Sequence, residues 1–223
     1  NKLARDPDVL DIVEQLVGPD IRLYGGKMNL KSAGCGAPVE WHQDWAFYPH
    51  TNDDVLATGL LLDDCDEMNG PLMVMPGSHK GPTYDHHADG YFCGAMSADD
   101  EEAAQNLDYS KAVKLTGNAG DMTIHHVRMV HGSAMNQSNR QRRLLLHEYT
   151  AGDAWPLVGL KGEFDQCFYD LLVRGMPNTQ PRTVPAPVRL PYPSAKKGGS
   201  IYENQKGTEK RFFETYEQAR KAG

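Results

Sequence analysis

Apolar positions recur at helical spacing near the start of the chain. In RDPDVLDIVEQLVGPD, Val9, Ile12, Val13, Leu16 and Val17 follow that repeat, Asp6 stands at the N-cap, Pro7 takes the first helical position and Gly18 ends the run. From IRLYGGKMNLK onward the pattern changes to short apolar or alternating runs, among them VLATGLLLDD, PLMVMPGSH, AVKLTGNAGDMTIHHVRMVHGS and QRRLLLHEYT. Turn residues separate them. Many short strands joined by Gly, Asn, Asp and Pro predict a β-sandwich or barrel instead of alternating βαβ units.

The remaining segments are less regular. The acidic SADDEEAAQNLD predicts a capped short helix on the surface, with Ser-Ala-Asp-Asp at its start. GEFDQCFYDLLVRG predicts a further helix, MPNTQPRTVPAPVRLPYP is too rich in proline for regular structure, and GTEKRFFETYEQARKAG predicts a terminal helix. Asp63 and Asp64 read as turn residues bonded to their own backbone. The sequence reads as one domain over 1–223, with its core at about 20–150 and an extension over 151–223.

Composition narrows the function. With 39% hydrophobic residues in 223, the chain can bury a core, and 23 basic against 30 acidic residues give a net charge of -7. That balance argues against nucleic acid or an anionic membrane as partner. No run approaches the roughly 18 apolar residues of a membrane span, and NKLARDPDVL has no signal-peptide pattern. Cys35, Cys65, Cys93 and Cys167 are scattered, which predicts reduced thiols and a cytoplasmic location. The chain begins with Asn, which implies an absent upstream segment in the natural protein. Oligomeric state is left open.

The candidate chemistry starts in EWHQDWAFYPH. On a strand, His42 and Asp44 share one side and Gln43 takes the other, so both can ligate one metal ion. About ninety residues later, a regular strand over GDMTIHHVRMVHGS places Asp121, Thr123, His125, Val127, Met129, His131 and Ser133 on one face, with His126 opposite. His131 and His125 are the candidates for a third ligand. Two imidazoles and one carboxylate, with no thiolate near, suit non-haem Fe(II) and molecular oxygen. Such a centre needs an electron-donating co-substrate, commonly 2-oxoglutarate, whose distal carboxylate calls for an arginine. Alternation in NRQRRLLLHEY sends Arg142 or Arg143 toward the core.

Three blocks together, WHQDWAFYP, NGPLMVMPGSHKGP and VHGSAMNQSNRQRR, resemble the phytanoyl-CoA dioxygenase family of Fe(II) and 2-oxoglutarate dependent oxygenases. The likeness runs over roughly residues 20 to 150. It implies a mainly β double-stranded β-helix, or jelly roll, with flanking helices. It implies His42, Asp44 and His131 as ligands, Arg142, eleven residues after His131, as the 2-oxoglutarate anchor, and Ser133 and Asn29 as further co-substrate contacts. Lys27, Tyr48 and His125 are then candidates for facing a small-molecule substrate, and Lys27 or Lys31 is a weaker co-substrate candidate. Related halogenases lack the carboxylate, so Asp44 implies hydroxylation. Gly59 stands where relatives carry a pocket tryptophan, which implies a different pocket wall. Competing expectations are a cupin-like metal-dependent isomerase or hydrolase and a non-catalytic jelly-roll binding protein. His86 and His87 are open between a substrate role and an exposed loop.

Overall fold

The computed structural model describes residues 2–159, 168–208 and 210–214. Helix α1 (Pro7–Val17) forms where its pattern predicts, with Asp6 accepting from the backbone N–H of Asp8 and Gly18 ending it at φ 95°. Its buried face is Leu10 and Val13, packed against Ile21, Leu56 and Tyr149. Ile12 and Leu16 lie on the other side, exposed. The apolar stripe is therefore narrower than the spacing suggests.

Two antiparallel sheets carry the fold. The larger runs β11 (Leu172–Arg174), β1 (Ile21–Lys31), β10 (Arg142–Ala151), β3 (Val55–Leu61) and β8 (Met122–His126). The smaller runs β2 (Val39–His42), β9 (His131–Ser133), β4 (Leu72–Val74) and β7 (Val113–Leu115). A two-stranded ribbon, β5 (His87–Ala88) with β6 (Tyr91–Phe92), and helix α2 (Glu101–Asn106), capped by Asp100, lie outside them. This is the mainly β jelly-roll architecture expected. Strand β10 sits in mid-sheet, paired along its length with β1 from Ile21↔Ala151 to Lys31↔Arg142, and with β3 on its other side.

Three expectations are corrected. The run from Asp121 to Ser133 is not one strand: β8 belongs to the large sheet and β9 to the small one, and the backbone turns between them with Met129 N–H donating to the His126 carbonyl (2.9 Å). Part of GEFDQCFYDLLVRG is strand β11, because Ile21 and Arg22 offer it the open edge of β1; its residues 162–167 lie outside the described residues, as does most of the expected terminal helix. Asp63 and Asp64 bond across the fold, Asp63 to Arg143 and Asp64 to the N–H of Ala119, not to their own turn. Near the end of the description, Ile201–Asn204 form a short helix, α3, that the sequence pattern did not signal. No helix among the described residues is long and apolar enough to cross a membrane.

Candidate metal and co-substrate site

The site forms where the two sheets meet. Strand β2 ends at His42, and Asp44 opens a 3-10 turn (Asp44–Ala46) instead of continuing the strand. Gln43 between them is still extended, at φ -119° and ψ 129°, so the two side chains emerge on the same side. Gln43 points away and is fixed there: its amide donates to the carbonyls of Pro82 and Arg128, and its own N–H donates to His86 Nε2 (2.9 Å). His131 lies directly across the ladder from His42.

The ligand-type atoms of His42, Asp44 and His131 lie within 4.8 Å of one another, all buried. His42 Nδ1 is 2.8 Å from its neighbour Glu40's carbonyl, and His131 Nδ1 is 2.9 Å from that of Met129. A carbonyl only accepts, so each Nδ1 carries the proton and each Nε2 presents a lone pair to the centre. Both Nε2 atoms stand 3.9 Å from an Asp44 carboxylate oxygen, beyond hydrogen-bond contact. A cation between them fits that spacing.

Electrostatics favour the same protonation states. Burial pushes the His42 imidazole down to about 4 and holds His131 well below its ordinary value. Burial alone would raise the Asp44 carboxyl, but the charge of Lys27 and contacts with His131 and His125 hold it well below the usual range. Neutral imidazoles and an ionised carboxylate are the forms a hard divalent ion requires. His125 is part of the cluster: its Nε2 is 3.5 Å from Asp44 Oδ2, and its ring centroid is 4.4 Å from that of His131. Both its nitrogens are buried without a hydrogen-bond partner among the described residues.

Beside the three residues, a cavity is lined by Asn29, Ser133, Arg142, Leu144 and Lys27. Arg142 is 2% exposed; its Nε and Nη2 both donate to the Gly70 carbonyl (3.1 and 2.6 Å), and its Nη1 is buried with no hydrogen-bond partner among the described residues. An unsatisfied guanidinium nitrogen at a cavity wall fits a carboxylate. Arg143 goes outward to Asp63, which settles which of the two faces inward. Lys27 lies at the mouth, 3.4 Å from Glu148, and the charges of Asp44 and Glu148 outweigh burial in keeping it protonated. Tyr48 is buried, and burial followed by the Asp44 charge pushes its hydroxyl well above the ordinary phenol value.

The other candidates fall elsewhere. His86 is buried and serves the Gln43 backbone, while His87 pairs with Asp85 (2.7 Å). At Gly59 a Cβ would stand 2.6 Å from Thr123 Oγ1 and 3.0 Å from Leu144 Cδ1, so those side chains occupy the wall and leave no space for a larger residue. Tyr202, which no sequence motif signals, joins the site through its hydroxyl, which donates to Asn29 Oδ1 (2.8 Å). Only tertiary proximity joins them.

The chain resembles known proteins over much of its length. The family model for phytanoyl-CoA dioxygenase (PhyH) matches residues 1–144. A probable alpha-ketoglutarate-dependent hypophosphite dioxygenase of Stutzerimonas stutzeri is 43% identical over 215 residues, covering 96% of this chain and 73% of that protein. An L-proline trans-4-hydroxylase of Streptomyces griseoviridis is 33% identical over 166 residues, 66% of this chain and 61% of the relative. Among solved structures, EctD from S. alaskensis in its apoform aligns with a TM-score of 0.59 at 25% identity, covering 84% of this chain and 62% of that one. The chain thus spans less than two thirds of the proline hydroxylase and of EctD.

Proposed function

The chain belongs to the phytanoyl-CoA dioxygenase family of Fe(II) and 2-oxoglutarate dependent oxygenases, and from that premise we propose that His42, Asp44 and His131 hold its iron and Arg142 its co-substrate. The observation that carries this is the meeting of two Nε2 lone pairs and one buried carboxylate within 4.8 Å, beside a guanidinium with one nitrogen unpaired among the described residues. When bound, iron and 2-oxoglutarate together activate molecular oxygen, giving succinate, carbon dioxide and an oxygenated product.

Each side chain has a defined task. Glu40 and Met129 carbonyls fix the two imidazoles in the tautomer that offers Nε2. His125, with its Nε2 3.5 Å from Asp44 Oδ2, adds a third imidazole beside the carboxylate. Arg142 takes the distal carboxylate of 2-oxoglutarate, with Ser133 and Asn29 on the same cavity wall as further donors. Leu144, Leu146 and Leu72 line that cavity and exclude water around the reacting atoms.

The substrate is a small molecule, and Lys27 at the mouth gives it a cation to meet, which supports an anionic group on the substrate. Hypophosphite, L-proline and ectoine belong in the screen because relatives are named for them. The net charge of -7 supports a site without nucleic acid, and the free thiols Cys35, Cys65 and Cys93 support a reducing, cytoplasmic setting. The test is Asp44→Ala: Fe(II)-dependent release of succinate from 2-oxoglutarate falls to background. An undiminished rate in that variant excludes the site.

A further inference from the structure

Helix α3 returns from beyond residue 144, where the family match ends, to the cavity beside the metal cluster. Ile201 lines the inner cavity with Asn29 and Arg142, while Tyr202 lines the wider space outside it with Lys27, Tyr48 and Glu148. The Tyr202 hydroxyl donates to Asn29 Oδ1 at 2.8 Å, joining α3 to strand β1 across 173 positions of sequence. An asparagine amide has one accepting and one donating end. With the oxygen held by Tyr202, the NH2 is the end left for the cavity.

We propose that Tyr202 is a positioning residue for the anionic co-substrate, fixing the Asn29 amide so that its NH2 donates toward the carboxylate held by Arg142. Without the hydroxyl, Asn29 is free to turn its carbonyl inward, where an acceptor faces an anion and opposes it. The same bond anchors α3 at the cavity wall, so the C-terminal extension takes part in co-substrate binding. The electrostatic setting is consistent, since both Arg142 and Lys27 lie close enough to act on the Tyr202 phenol. This rests on the assignment of Arg142 as the anchor.

The experiment titrates 2-oxoglutarate into the anaerobic Fe(II)-loaded full chain, followed by its visible charge-transfer absorption, with succinate-release kinetics in parallel. Tyr202→Phe, the loss of one neutral hydrogen bond, weakens 2-oxoglutarate binding about fivefold and raises its KM alike, with kcat at saturation unchanged. Asn29→Ala weakens it by a similar factor, and the double variant goes no further than Asn29→Ala alone. A wall-only role for α3 would give effects that multiply, and that result overturns the proposal, as does unchanged affinity in Tyr202→Phe. Asn29→Asp gives an independent check, since it keeps an acceptor for Tyr202 but removes the donor, and should bind more weakly than Asn29→Ala. Arg142→Leu separates the two claims: retained affinity there defeats the anchor assignment, whereas lost affinity there with Tyr202→Phe unchanged defeats only the role of Tyr202.

Discussion

Adjacent residues in this chain have opposite fates, set by strand alternation and by the partner each face offers. Arg142 and Arg143 follow one another on β10, yet Arg142 is buried against the Gly70 carbonyl while Arg143 is held at the surface by Asp63. Arg142→Leu should therefore weaken 2-oxoglutarate binding by roughly ten- to a hundredfold, the scale of one or two hydrogen bonds to a charged group, and Arg143→Leu should leave it unchanged; co-substrate titration of both variants checks this. The same logic governs acid sensitivity. Burial pushes His86 down to about 3, and its Nε2 must stay unprotonated to accept from Gln43 N–H. Because the unfolded imidazole titrates near 6.5, the unfolded chain binds the extra proton between about pH 6.5 and 3. Stability is intact above that window and falls as pH drops through it, by about 1.4 kcal/mol per unit for this one group. His86→Gln keeps an acceptor without a titrating proton, so the metal-free variant should show a shallower loss of melting temperature between pH 6.5 and 5 than the parent.

At the scale of elements, the sequence pattern was most informative where local and tertiary demands coincide. Strand β10 and the site pair His42 and Asp44 were legible because alternation survives through the extended Gln43 even though β2 stops before it. The break between β8 and β9 was not, since HHVRMVH contains neither glycine nor proline and the turn is made by bonds such as Arg128 N–H to His126 Nδ1 (3.1 Å). His125 and His131 both reach Asp44 despite the break, so the expectation of one shared face gave the right neighbours from the wrong geometry. Helix α1 tells a similar story. Its periodic residues include Ile12 and Leu16, which face solvent, while Leu10 carries the packing. Leu10→Ala should cost about 2 to 4 kcal/mol, the usual cost of emptying a buried leucine site, and Leu16→Ala should change stability by less than about 0.5 kcal/mol; denaturant midpoints of the two variants measure the difference.

Across the whole molecule, the jelly roll does what no local segment can: it sets His131 against His42 and lays Arg142 beside both. It also buries two basic side chains against backbone carbonyls. Lys31, directly across the ladder from Arg142, donates its ammonium to the carbonyls of Ala37 and Ala134 (both 2.6 Å), and burial together with the Arg142 charge pushes it well below its ordinary value. Arg142 faces the cavity, while Lys31 ties together the backbone at Ala37 and Ala134. Neither this pairing nor the return of α3 was readable from the chain, because both depend on residues brought together from more than a hundred positions apart. An anaerobic crystal structure of the protein with Fe(II) and 2-oxoglutarate decides the matter. The expected result is one metal ion bound by His42 Nε2, His131 Nε2 and the Asp44 carboxylate, with the distal carboxylate on Arg142. Iron ligated by His125 in place of His131, or a dicarboxylate seated away from Arg142, would contradict it.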